Sequence, residues 1–189
     1  IHQISVEPIL DIRQQAEFFV SLGQTDRALR ILKKQIAEAN EPNPMVYMDL
    51  LALYHSLGLK ADFREQREAF GQQFNALVPD FPSFNLEGKD LEAYPEVLAD
   101  LTKRWPGAQA LVFLDACIFY SPQAQIRPLF DLAAFRDLLL LHMLAEDMTP
   151  DMAVKGAGSM VPVTHPARVP EPMPGVTEPM LEALKLTVP

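Results

Sequence analysis

Four histidines, a single cysteine and one lysine beside glycines are the residues of this chain whose chemistry could go beyond packing. His2, His55, His142 and His165 are scattered along 189 residues, and no His-Glu-x-x-His or Cys-x-x-Cys spacing gathers them around a metal. His142 lies in an apolar stretch and reads as a satisfied core histidine. Cys117 sits inside Leu111-Val112-Phe113-Leu114-Asp115-Ala116-Cys117-Ile118-Phe119 and reads as a buried, inert thiol, since cysteine packs as a small hydrophobe. A lone cysteine forms no internal disulfide, so nothing suggests an oxidising compartment. Lys155-Gly156-Ala157-Gly158-Ser159 carries its lysine before its glycines and lacks the spacing of a phosphate-cradling loop. No Gly-x-Ser-x-Gly elbow occurs. Carboxylates are plentiful, but spacing pairs none of them as an acid/base couple. The expectation is a protein that is not an enzyme, with no cofactor and no metal.

The charge balance narrows the partners. Asp and Glu outnumber Lys and Arg by 25 to 16, for a net charge of −9. An acidic surface repels phosphate backbones, which argues against nucleic acid. A mean hydropathy of +0.03 and an apolar content of 49% describe a globular chain and not a disordered one. The longest apolar runs, around Leu111–Tyr120 and Leu138–Leu144, fall well short of the ~20 residues that span a bilayer. No signal peptide is visible. A cytoplasmic location without membrane contact is expected. The chain begins at Ile1, which suggests a piece of a longer protein.

Hydrophobic periodicity predicts helices almost throughout. The first runs over about Ile9–Leu22, with Ile9, Ile12, Ala16, Phe19 and Val20 at helical spacing. Thr25 or Asp26 is expected to cap a second, about Asp26–Ala39. Ala28, Leu29, Leu32 and Ile36 form its inner stripe, and Arg27, Arg30, Lys33 and Lys34 decorate its outside. That basic stripe is either a solvated face or a landing site for an acidic partner. Further helices are expected over Pro44–Leu57 and Ala61–Leu77, the latter with an aromatic core stripe and with Gly71 allowing a close crossing. A loop over Val78–Lys89 should lie against the bundle through Phe81, Phe84 and Leu86. Helices over Leu91–Trp105, within 108–120 (where a strand is the alternative, with no partner strand evident) and over Leu132–Asp147 complete an all-α domain at 1–148. Residues 149–189 hold 8 of the 17 prolines and read as an extended arm, anchored by apolar side chains, with a short helix at Glu178–Leu186.

The first and second helical pairs repeat one outline. Phe19-Val20-Ser21-Leu22-Gly23 closes one helix, Tyr54-His55-Ser56-Leu57-Gly58 closes another 35 residues later, and Pro44 and Pro79 end the two units. A helix, a glycine turn and a second helix at this period resemble tetratricopeptide repeats. Ala16, Phe19, Gly23, Ala28 and Leu32 fill the family's places in the first unit, and Tyr47, Leu50, Tyr54 and Gly58 in the second. Leu51 and Phe63 replace the small residues the family prefers. The resemblance implies degenerate helical hairpins and a concave groove lined by Arg13, Glu17 and Val20 in the first unit and by Met48, Ala52 and His55 in the second. It implies a protein or peptide partner, and a scaffold role.

The second unit and the Tyr94-Pro95 helix also resemble the C-terminal repeat region of FimV-type bacterial scaffolds, which implies pilus or secretion-system assembly. Two other functions stay open. One is self-assembly, with the proline-rich arm docking on a neighbouring copy as a homo-oligomer. The other is an enzyme or small-molecule carrier with a pocket between the later helices.

Overall fold

A computed structural model describes residues 2, 4, 7–122 and 128–149. The proline-rich arm, Lys155–Ser159, His165 and the expected terminal helix lie outside the described residues. Among those described, seven α-helices make up an all-α architecture, with one two-residue strand pair.

Helix α1 spans Glu7–Ser21 and α2 spans Thr25–Glu38. Between them Gly23 takes a left-handed φ of 71°, open to glycine at no steric cost. Its N–H donates to the Val20 carbonyl at 2.9 Å, and the Gln24 N–H donates to Phe19 at 2.8 Å. Together they form a Schellman closure that satisfies the last carbonyls of α1. The expected cap at Thr25 or Asp26 is not made: Gln24 holds the N-cap position without a side-chain bond, and Thr25 is already helical. Ala28 and Leu32 are buried.

Helix α3 spans Pro44–Ser56. Asn43 caps it by accepting the Met45 N–H at 3.0 Å, and Pro44 occupies the first turn, where its missing N–H costs nothing. Gly58, with φ of 73°, repeats the Gly23 closure: its own N–H donates to His55 at 3.1 Å and Leu59 N–H to Tyr54 at 2.9 Å. Helix α4 follows over Lys60–Gln73. It was expected to reach Leu77. It stops because Phe74 turns extended and the backbone finds partners far along the chain. The Asn75 N–H donates to Ile118 at 2.8 Å, and Tyr120 donates back to Gln73 at 2.9 Å. Strand β1, Ala76–Leu77, then pairs in parallel with β2, Phe130–Asp131.

The loop after β1 folds back through Phe84, which is buried, whereas Leu86 is 72% exposed and does not anchor it as expected. Gly71 does not serve a close crossing either, because nothing lies within 4 Å of where its Cβ would stand. The expected helix over Leu91–Trp105 divides into a 3-10 turn at Leu91–Ala93 and α5, Pro95–Arg104. Helix α6 spans Ala108–Ile118 and packs on α7, Leu132–Met148. Residues 108–120 are thus mainly helical, and only Phe119 makes a strand-like bridge, to Phe74.

The core joins the second hairpin to these later helices. Phe70, Phe74 and Phe135 are fully buried, with ring centroids 4.8 Å (70–74) and 5.6 Å (70–135) apart. Cys117 is buried within it. His142 is fully buried too, but among the described residues neither ring nitrogen has a hydrogen-bond partner. The Glu146 carboxylate is nearest, at 3.7 Å. It is a core histidine, but not a satisfied one. At the chain's start, His2 stacks on Phe119 at 3.8 Å and donates its backbone N–H to Asp115 at 2.7 Å.

Candidate partner-binding groove

Helical spacing places Arg13, Glu17 and Val20 along one side of α1, and Asp49, Ala52 and Ser56 along the facing side of α3. A groove of about 390 Å³ runs between the two helices. Its walls are Arg13, Glu17, Val20, Ala52 and Ser56, and Ala16, Leu32 and Leu53 close it beneath. A trough of this size with an apolar base and a polar rim falls within the range of ligand clefts, about 300–1,000 Å³.

One ion pair spans the groove. The Arg13 guanidinium donates from Nε to Asp49 Oδ2 at 2.5 Å and from Nη2 to Oδ1 at 3.1 Å. Two parallel bonds of this kind fix orientation as well as charge. Burial pushes the Asp49 carboxyl above its ordinary range and outweighs the opposing pull of Arg13; Glu17 raises it further and Arg136 of α7 lowers it. Arg13 therefore ties α1 to α3 as well as walling the groove.

Of the six residues implied by the resemblance, Arg13, Glu17, Val20 and Ala52 line this groove. Met48 is buried in the core instead. His55 is turned to the loop beyond β1, with Nε2 3.1 Å from the Phe81 carbonyl and its ring 4.7 Å from Phe81 and 5.1 Å from Phe84. Asp49 was missed from sequence. Its signal was available: an opposite charge 36 positions from Arg13, close to one repeat period.

Other depressions differ in character. About 410 Å³ lies along α5 and α6, walled by Ala108, Val112, Phe113 and Ala116. Arg104, its one charged wall residue, lies 4.7 Å over the Phe113 ring, so no set of titratable groups converges there. Between α2, α3 and α4, Lys33 Nζ lies 5.5 Å over the Tyr54 ring, and the Tyr54 hydroxyl holds its pKa above the usual lysine value against the cost of burial, with help from Asp62 and Glu65. Among the described residues no group of three or more His, Cys, Asp and Glu could hold a metal. No helix there is long and apolar enough to cross a membrane. No protein-family model, curated protein or solved structure matches the chain.

Proposed function

We propose that the chain is a non-enzymatic interaction module that takes an extended peptide, or a loop of a partner protein, into the groove between α1 and α3. The single observation that supports it is that groove's makeup: apolar at the base, with Glu17, Ser21 and Ser56 able to bond a peptide backbone at the edge. In this reading α1/α2 and α3/α4 are tetratricopeptide-like hairpins, and their first helices form the concave wall. The two glycine closures with matched bonds at 35-residue spacing are consistent with that arrangement. The finer form of the same proposal is a cytoplasmic scaffold of bacterial pilus or secretion-machine assembly. It rests on the FimV-type resemblance alone.

Peptide phage display against the whole chain tests the groove. Ala52 is exposed, so Ala52→Trp fills the trough without entering the core. Enriched peptides should bind the parent chain and lose at least tenfold in affinity for Ala52→Trp and for Val20→Asp, with thermal melting unchanged. Failure to enrich any sequence, or equal binding to Ala52→Trp, overturns the proposal.

A further inference from the structure

We propose that the outer face of α2 is a second docking surface, separate from the α1/α3 groove, for acidic peptide segments that carry an apolar or aromatic side chain. Arg27, Arg30 and Lys34 fall at helical spacing on one exposed face. They rim a depression of about 300 Å³ whose other walls are Phe19 and Ile31. The Arg27 guanidinium lies 5.4 Å over the Phe19 ring, and next to Phe19 stands Phe18, 58% exposed.

Three features set this face apart from an ordinary solvated helix. First, its cations are unneutralised. Among the described residues neither Arg27 nor Arg30 has a carboxylate partner, and Lys34 meets only Glu38, at 4.0 Å with both side chains mostly exposed. Second, these cations do little for the helix that carries them. Cations favour the C-terminal turn and anions the N-terminal turn, by about 0.3–1 kcal/mol each. Here Arg27 stands in the first turn beside Asp26, Arg30 and Lys34 lie between the two end turns, no base occupies the last turn, and the helix ends on Glu38. Helix stability alone does not favour that order. Third, like charges at i,i+3 and i,i+4 repel, and they are gathered on a chain whose net charge is −9. The result is a local positive field beside an apolar slot. Acidic residues would meet the rim and an apolar side chain the slot, with Phe19 and Arg27 as its stacking wall.

A second copy of the chain fits less well. The equivalent turns of α4 carry Asp62 and Glu65, but those already face Lys33 within the same molecule.

The test is fluorescence anisotropy of the whole chain with labelled peptides in which Glu alternates with Phe and Leu, each beside a twin with every Glu replaced by Gln. The acidic peptides should bind, the Gln twins at least tenfold more weakly, and added salt should weaken binding. The triple variant Arg27→Glu, Arg30→Glu, Lys34→Glu should lose at least tenfold while keeping its circular dichroism, since all three side chains are exposed. Ala52→Trp, which blocks the other groove, should leave this binding unchanged, so the two proposals fail separately. Equal binding of the Gln twins, or an unaffected triple variant, overturns the inference. So does sedimentation with phosphatidylserine vesicles in the absence of peptide binding, which makes the face a membrane contact. A salt-sensitive dimer abolished by the triple variant, seen by light scattering, makes it a self-contact and also overturns the inference.

Discussion

The two hairpins close with the same turn and then diverge. Gly23 and Gly58 share a left-handed backbone and the same pair of closing bonds. Yet α3 buries eight of its residues, including Tyr47, Leu50, Leu51 and Tyr54, whereas α1 leaves Leu10, Phe18 and Val20 exposed. At matched positions, Ala28 in α2 corresponds to Phe63 in α4, and Arg27 and Arg30 correspond to Asp62 and Glu65. The difference comes from what each hairpin meets. The second is covered by Phe81, Phe84 and Phe135, supplied from later in the chain. Among the described residues the first packs mainly on α3. Local sequence sets the turn, and distant sequence sets burial. Both proposed binding surfaces accordingly draw on the less covered hairpin.

The largest way to break this contrast is at its buried aromatic. Phe63 is 1% exposed and contacts Phe81 and Phe84 edge-on at 5.2 and 5.1 Å. Phe63→Ala should cost about 3–5 kcal/mol, since the cavity cannot collapse between those two rings. Urea denaturation reads it. A loss below about 1 kcal/mol would mean that the loop beyond β1 is not a structural cover. Phe18→Ala, on the first hairpin, should leave the urea midpoint nearly unchanged.

The next expected effect lies where the hairpins meet. Burial raises the Asp49 carboxyl, so the folded chain holds that proton more firmly than the unfolded chain does. This group's contribution is therefore most favourable below the ordinary Asp range, and it declines as pH rises through the raised folded value. Arg13 is the main opposing influence. Arg13→Ala should raise the carboxyl further and cost about 1–2 kcal/mol at pH 7, where a buried charge is left without its partner. The penalty should shrink near pH 4 as Asp49 takes up its proton. Paired urea curves at the two pH values check it: an equal loss at both would mean that packing, and not charge, is what Arg13 supplies.

Residues that punctuate the chain were the legible ones. Gly23, Gly58, Pro44 and Pro95 mark element ends by their own backbone limits, so the helix order followed from sequence. What failed was decided at a distance. Helix α4 stops at Gln73 because its continuation pairs with residues 118–120 and 130, which no local period encodes. His55 fits a groove position by register, but the loop bearing Phe81 claims its imidazole. Half of the groove's ion pair was legible as Arg13. The other half, Asp49, needed the two first helices to be set side by side.

A smaller effect sharpens the comparison by predicting sameness. Neither Gly23 nor Gly58 has any atom within 4 Å of a built Cβ, so only the left-handed backbone resists substitution. Gly23→Ala and Gly58→Ala should each cost about 1–2 kcal/mol, and by equal amounts. Denaturation midpoints measured side by side check it. A much larger loss at Gly58 would show that the buried hairpin amplifies strain that its turn shares with the exposed one.

The smallest effect has the opposite sign and marks where the pattern between hairpins ends. Gly71 in α4 corresponds to Ile36 in α2. Ile36 packs against the core and helps wall the space shared with α3 and α4, but Gly71 meets only open space. No further hairpin among the described residues stacks on that face of α4. A glycine inside a helix, free of contacts, costs about 1 kcal/mol relative to alanine through backbone entropy alone. Gly71→Ala should therefore stabilise the chain by about 0.5–1 kcal/mol, seen as a higher urea midpoint with an unchanged slope. If it destabilises instead, something covers α4 at Gly71 in solution, and the second hairpin is as enclosed on that side as Ile36 makes the first.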